Sequence, residues 1–144
     1  MLLHVEQCWK YLIVNDKEKI QKLAAGIINS WMKNAKIVVV ACADPKKSGS
    51  RNGMDYYLVD VAISMEHLVL AATNIGLGTC WIGGFNEKKV KKILEIPDKI
   101  KVVAMTPLGY PSEQGIRNKI SRKIIRSDKR KSLEYIVCYN SWQE

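Results

Sequence analysis

From Asp55 to Asn74 the sequence has helical periodicity but is apolar on nearly every face, with Asp60, Ser64 and His67 as the main interruptions. A helix with one apolar stripe can lie on a surface. One that is greasy on several faces must be buried centrally or against another subunit. At 1.5 Å per residue it would run for about 30 Å, enough to cross a small domain and to form the spine of a dimer. Gly76 follows near a C-terminal cap, and His67 is expected to be a satisfied core or interface residue rather than a base.

The segments around this helix alternate in type. Lys10 to Val14 (KYLIV) is short, aromatic and β-branched, and predicts a buried strand. Asp16 can cap a following helix whose apolar stripe runs through Ile20, Leu23, Ala24, Ile27, Ile28 and Trp31, with Gly26 as a weak point. Ile37 to Ala41 (IVVVA) predicts a strand buried on both faces, ended by Asp44-Pro45. Lys46 to Gly53 is polar and rich in Gly and Ser, hence an exposed loop. Asn86 can cap a short helix that Pro97 ends, Lys101 to Leu108 predicts another central strand, and Leu133 to Tyr139 a final strand that would need a partner, possible on a second subunit. Strands interleaved with helices predict a mixed α/β or α+β layer fold.

The chain has 144 residues and is 47% hydrophobic, which fits one domain, 1–144, with a real core. Its apolar runs are too short or too interrupted to span a bilayer, and the N-terminus lacks an export signal, so no membrane span and a cytoplasmic setting are expected. Cys8, Cys42, Cys80 and Cys138 form no C-x-x-C pair. They are expected to be small buried hydrophobes rather than ligands of zinc or an iron–sulfur cluster. The net charge of +9 is concentrated in residues 117–131, where eight Lys and Arg face Asp128 alone. Such a stretch can meet nucleic acid, a phosphate-bearing cofactor or an acidic partner, or can simply be solvated.

No zinc-protease, serine-hydrolase or P-loop motif is present, so an enzymatic reaction would have to be carried by a cofactor. Gly76-Leu77-Gly78 and Gly83-Gly84 bracket a short apolar run. Glycines there can serve a cap and a tight turn, or can let a flat ligand approach the backbone.

The run from Ala71 to Phe85 (AATNIGLGTCWIGGF), then Val90 to Pro97, then Val103 to Pro111 (VAMTPLGYP), resembles the nitroreductase family. That family ends a long helix in A-x-x-x-G-L-G-x-x-W-I-G-G-F, follows it with a small helix ending in I-P, and ends a strand in L-G-Y-P. Gln7 to Val14, Ala35 to Asp44 and Lys129 to Val137 resemble further family segments, so the likeness covers essentially the whole chain.

The resemblance implies an α+β fold with a central, mainly antiparallel sheet flanked by helices, and a long central dimer helix. It implies a homodimer with FMN at the interface, reduced by NAD(P)H and reoxidised by a nitroaromatic, quinone or related small-molecule acceptor. The site residues it implies are Gln7, Trp81, Ile82, Gly83 and Gly84 along the isoalloxazine, with the Gly84 N–H near N5, and Lys129 and Arg130 at the phosphate. A middle-region Lys and Asn of the family can be matched to Lys33 and Asn29. No side chain is implied as a catalytic acid or base, and no metal.

The pattern also departs from the family. Its arginine-rich phosphate grip has no counterpart after Met1, its Ser and Asn fall at Leu2 and Val5, and its Pro falls at Cys8. A truncated N-terminus and weakened FMN affinity are therefore expected, since each charge-assisted contact is worth roughly 1.5–3 kcal/mol. An FMN oxidoreductase is the first expectation, and a non-catalytic dimeric flavin- or partner-binding module the alternative. Nucleic-acid binding ranks last, because few stacking aromatics accompany the basic stretch.

Overall fold

Six consecutive residues, Val38 to Ala43, keep no more than 2% of their surface, and the architecture follows from covering them on both faces. In the computed structural model, which describes residues 7–26, 29–111 and 130–142, they lie in the strand Ile37–Ala43 (β2). The other strands are Trp9–Val14 (β1), Ser50–Arg51 (β3), Met54–Asp55 (β4), Gly78–Thr79 (β5) and Lys101–Gly109 (β6); the helices are Lys17–Leu23 (α1), Tyr56–Asn74 (α2) and Glu87–Leu94 (α3). The chain divides into two compact units, Met1–Pro111 and Ser112–Glu144, and all these elements belong to the first.

The main sheet has the order β1-β2-β6-β5, and every pairing in it is antiparallel. In the register Trp9 faces Ala43 and Val14 faces Val38 across β1 and β2, while Ile37 faces Leu108 across β2 and β6, with an irregularity between Ala41 and Cys42. Because side chains alternate along a strand, β2 serves two cores at once. Val38, Val40 and Cys42 pack with Ile20 and Leu23 of α1 and Val90 and Leu94 of α3. On the other face Ala41, Ala43 and Ala104 pack with Val61 and Met65 of α2. The small alanines let the long helix come close to the sheet, and its buried residues each contribute about 1.5–3 kcal/mol.

The polar interruptions of α2 mark where it docks. Asp60 Oδ2 accepts from Ser48 Oγ at 3.1 Å and from Cys8 Sγ at 3.4 Å, and Ser64 Oγ shares a 2.7 Å hydrogen bond with Tyr11 OH. These three bonds satisfy groups that would otherwise be costly beside an apolar core. The helix ends as its glycine foretells. Gly76 lies at φ +77°, its N–H donates to the Thr73 carbonyl, and the Leu77 N–H reaches the Ala72 carbonyl, the paired bonds of a Schellman cap.

Several expectations are corrected. The helix begun at Asp16 stops at Leu23 rather than running through Trp31, and Ser30–Asn34 is a separate 3₁₀ turn. Gly26 at φ +131° turns the chain away from helical geometry, and Trp31 is exposed; Ile27 and Ile28 lie outside the described residues. The polar loop of 46–53 carries the β3–β4 hairpin. His67 is exposed in the single chain, so it is not a core residue. Only Val61, Met65 and Ala72 of α2 are buried, so within one chain the helix is covered on one face. Cys8 and Cys42 are buried, but Cys80 and Cys138 are exposed.

In the second unit the expected strand over Leu133 to Tyr139 is absent, and Leu133–Tyr135 is a 3₁₀ turn. Its donors are used locally, with Tyr135 N–H on the Ser132 carbonyl and Val137 N–H on that of Leu133. A strand needs a neighbour to take its donors, and among the described residues none pairs with this segment. Most of the basic stretch, 117–129, lies outside the described residues.

Candidate functional site

The segment after α2 is laid against the edge of the sheet by backbone bonds. Gly78 pairs with Gly109 and Thr79 with Leu108 across β5 and β6. The Cys80 N–H then donates to Thr106 Oγ1 at 3.0 Å. Thr106 is completely buried and satisfies its own hydroxyl on the Pro107 carbonyl. Next, Ile82 and Met105 exchange both backbone bonds, at 2.8 and 3.0 Å, and the Ile82 side chain is buried in the α1/α3 core. This clamp leaves Trp81, Gly83 and Gly84 exposed on either side of Ile82.

Beyond the clamp, one side-chain contact reaches the glycines from another element, and a cap fixes the helix that follows them. Asn29, just before the 3₁₀ turn, donates its side-chain amide to the Gly84 carbonyl at 2.9 Å. Asn86 caps α3 by accepting the Lys89 N–H at 3.0 Å. The first residue of α3, Glu87, accepts from the Val102 N–H at 3.1 Å and pairs with Lys91 at 3.2 Å and Lys101 at 3.8 Å. Partial burial pushes the Glu87 carboxyl up, but the Val102 hydrogen bond and the two lysines outweigh it and hold the group below its ordinary value. The Gly83–Gly84 peptide itself is held by the Gly83 carbonyl, which accepts the Phe85 N–H at 3.2 Å, while Asn29 and the start of α3 anchor the backbone that follows.

The glycines of this region separate into two kinds. At Gly78 a Cβ would meet Pro111 Cγ at 3.3 Å, so a side chain there would press on Pro111 within the chain. At Gly83 and Gly84 a Cβ would meet nothing within 4 Å, and neither residue has positive φ. Nothing in the described fold requires glycine at either position. Two adjacent glycines with free space above them, on a backbone held from three sides, make a platform that a flat molecule can approach closely. Among the described residues the Gly84 N–H has no protein acceptor.

The other expected site residues are dispersed. Gln7 lines a separate groove of about 470 Å³ with Cys8, Leu12, Cys42 and Ile96. Arg130 belongs to the second unit, where it is exposed and takes part in an interaction, and Lys129 lies outside the described residues. Lys33 is exposed on the 3₁₀ turn. The buried thiols offer little reactivity: burial, with the hydrogen bond and charge of Asp60, pushes Cys8 up to about 11, and burial pushes Cys42 to about 11. Burial also raises exposed-edge Cys80. Among the described residues no group of His, Cys, Asp and Glu could hold a metal ion, and no helix is long and apolar enough to cross a membrane.

Comparison with known proteins places this platform in context. The nitroreductase family matches residues 6–110. A protein of Archaeoglobus fulgidus named for NADH dehydrogenase/NAD(P)H nitroreductase activity is 32% identical over 114 residues, covering 76% of this chain and 64% of the relative. A nitroreductase family protein of Clostridium novyi NT is 41% identical, covering 76% of this chain and 65% of that structure, with a TM-score of 0.72. The NADPH:FMN oxidoreductase of Vibrio harveyi, solved with NAD+, is 26% identical with a TM-score of 0.76, covering 96% of this chain and 61% of that one. The chain spans about six-tenths of the length of the curated relatives it matches, 64% and 58% in two cases.

Proposed function

Because this chain belongs to the nitroreductase family, we propose that it is an FMN-dependent oxidoreductase that takes electrons from NAD(P)H and passes them to a nitroaromatic, quinone or related small acceptor. The observation that carries the reading is the Gly83–Gly84 platform, whose glycines the chain's own packing does not require. Support also comes from relatives named as an FMN reductase using NAD(P)H and as an NADPH:FMN oxidoreductase.

The described residues fit the ring portion of such a cofactor. When bound, FMN would supply the centre that accepts and donates the hydride. Gly83 and Gly84 would allow close contact with a planar ring, and Trp81, 43% exposed, would add an aromatic wall. The Gly84 N–H would donate to the ring edge, its own peptide held by Phe85 N–H on the Gly83 carbonyl and the backbone on either side anchored by Asn29 and by Ile82 on β6. Such a fixed donor favours negative charge where it points without reorganising. Gln7 is assigned to the same cofactor, and Lys129 and Arg130 to its phosphate as charge-assisted partners.

The proposal includes a homodimer. Leu58, Ile63 and Leu70 of α2 are 46%, 53% and 58% exposed in the single chain, and a second copy laid along this helix would cover them.

Titration with FMN, followed by quenching of flavin fluorescence, with NAD(P)H oxidation assayed on the same sample, tests the assignment. Micromolar or tighter binding with turnover is the expected result. No quenching at all would overturn it and leave a family fold that acts as a binding module.

A further inference from the structure

Between α1 and α3 lies a cavity of about 320 Å³, with Leu23, Phe85, Val90 and Ile93 as its apolar lining and Lys22 and Lys89 among its polar residues. Leu23 and Val90 belong to the main core, so the apolar lining is part of a packed structure. Both lysines are exposed, and among the described residues neither is in an ion pair, whereas Lys91 and Lys101 are engaged by Glu87. The two helices together carry seven lysines against two glutamates, so the cavity sits in a positive field.

An apolar lining with two exposed cations suits one kind of occupant. A neutral hydrocarbon would leave the cations unused, and an inorganic anion would leave the apolar lining unused. We propose that this cavity binds a small flat organic acid, its aromatic body on Leu23, Phe85 and Val90 and its carboxylate between Lys22 and Lys89. The volume lies at the lower end of the range of about 300–1,000 Å³ typical of small-molecule pockets. That is room for a one- or two-ring acid. The site goes beyond the oxidoreductase reading and does not depend on it, although it shares Asn29 and Gly84 with the glycine platform.

The test uses the full chain with 2-naphthoate and its neutral analogue 2-naphthamide, followed by amide NMR shifts. The expected shifts centre on Gly84, Lys89 and the Asn29 side-chain amide, with naphthoate binding about fivefold more tightly than naphthamide, the scale of two exposed charge contacts. The double variant K22Q/K89Q should bring naphthoate down to the naphthamide level with an unchanged melting profile. Ala25→Trp, which fills the cavity from an exposed lining position, should abolish binding of both.

Equal affinity for acid and amide, or shifts elsewhere on the surface, would overturn the proposal. A parallel FMN titration separates it from the cofactor assignment. If K22Q/K89Q weakens FMN as much as naphthoate, the cavity is part of the cofactor site and the separate acid site is refuted. If FMN fails to bind while naphthoate behaves as expected, only the oxidoreductase reading falls.

Discussion

The side-chain amide of Asn29 donates to the carbonyl of Gly84 at 2.9 Å, joining residues 55 positions apart in sequence. The bond anchors the Gly84–Phe85 peptide, immediately after the Gly84 N–H proposed to face the cofactor, so it couples the turn after α1 to the glycine platform. Asn29→Ala should cost about 1 kcal/mol of stability or less, because the bond is solvent-exposed. It should weaken FMN binding about tenfold by loosening the backbone next to the Gly84 N–H. Thermal melting and flavin-fluorescence titration of the same variant check both parts.

Gly84→Val separates ligand approach from folding. The added side chain meets no protein atom within 4 Å of its Cβ, so the melting temperature should stay within a few degrees. FMN binding should be lost, because the branched side chain occupies the space above the backbone. A variant that folds and still binds FMN normally would sink the assignment of the platform.

Thr106→Val tests the clamp beneath the platform. The substitution keeps the volume but removes the acceptor of the Cys80 N–H at a position with no exposed surface. An unsatisfied buried donor costs about 1–3 kcal/mol. Urea denaturation should show a loss of that order, together with weaker FMN binding if Cys80 shifts the segment that follows.

Glu87 predicts a pH dependence. Its carboxyl is held below its ordinary value of 4.5 in the folded chain, so its contribution is present above that value and is lost as the pH falls through the lower folded value. Denaturation of the wild-type chain should show stability falling in this acidic window. In Glu87→Gln that part of the pH dependence should be absent, and stability at neutral pH should be lower.

Arg130→Ala addresses the phosphate assignment. The side chain is exposed, so the fold should be little affected. FMN should bind at least tenfold more weakly, whereas riboflavin, which lacks the phosphate, should bind as before. Equal losses for the two flavins would remove Arg130 from the phosphate.

Much of the fold is legible in local sequence. The β-branched run at Ile37 forms the central strand, Asn86 caps α3, Gly76 ends α2, and WIGGF marks the platform through its likeness to a family. Each of these depends on neighbours a few residues away, through side-chain alternation, helical spacing or the φ preference of glycine. The same local logic overextended α1 through Trp31 and placed a strand at Leu133 to Tyr139, where burial and a pairing neighbour were needed and the sequence could not supply them. Tertiary structure alone decided the strand order, the meeting of Asn29 with Gly84, the burial of Thr106 under Cys80 and the lysine-lined cavity between α1 and α3. It alone also distinguished Gly78, packed tightly against Pro111, from Gly83 and Gly84, which the packing leaves open. Those facts depend on which distant segments share a core and where the chain leaves space, and no periodicity along a single segment records either.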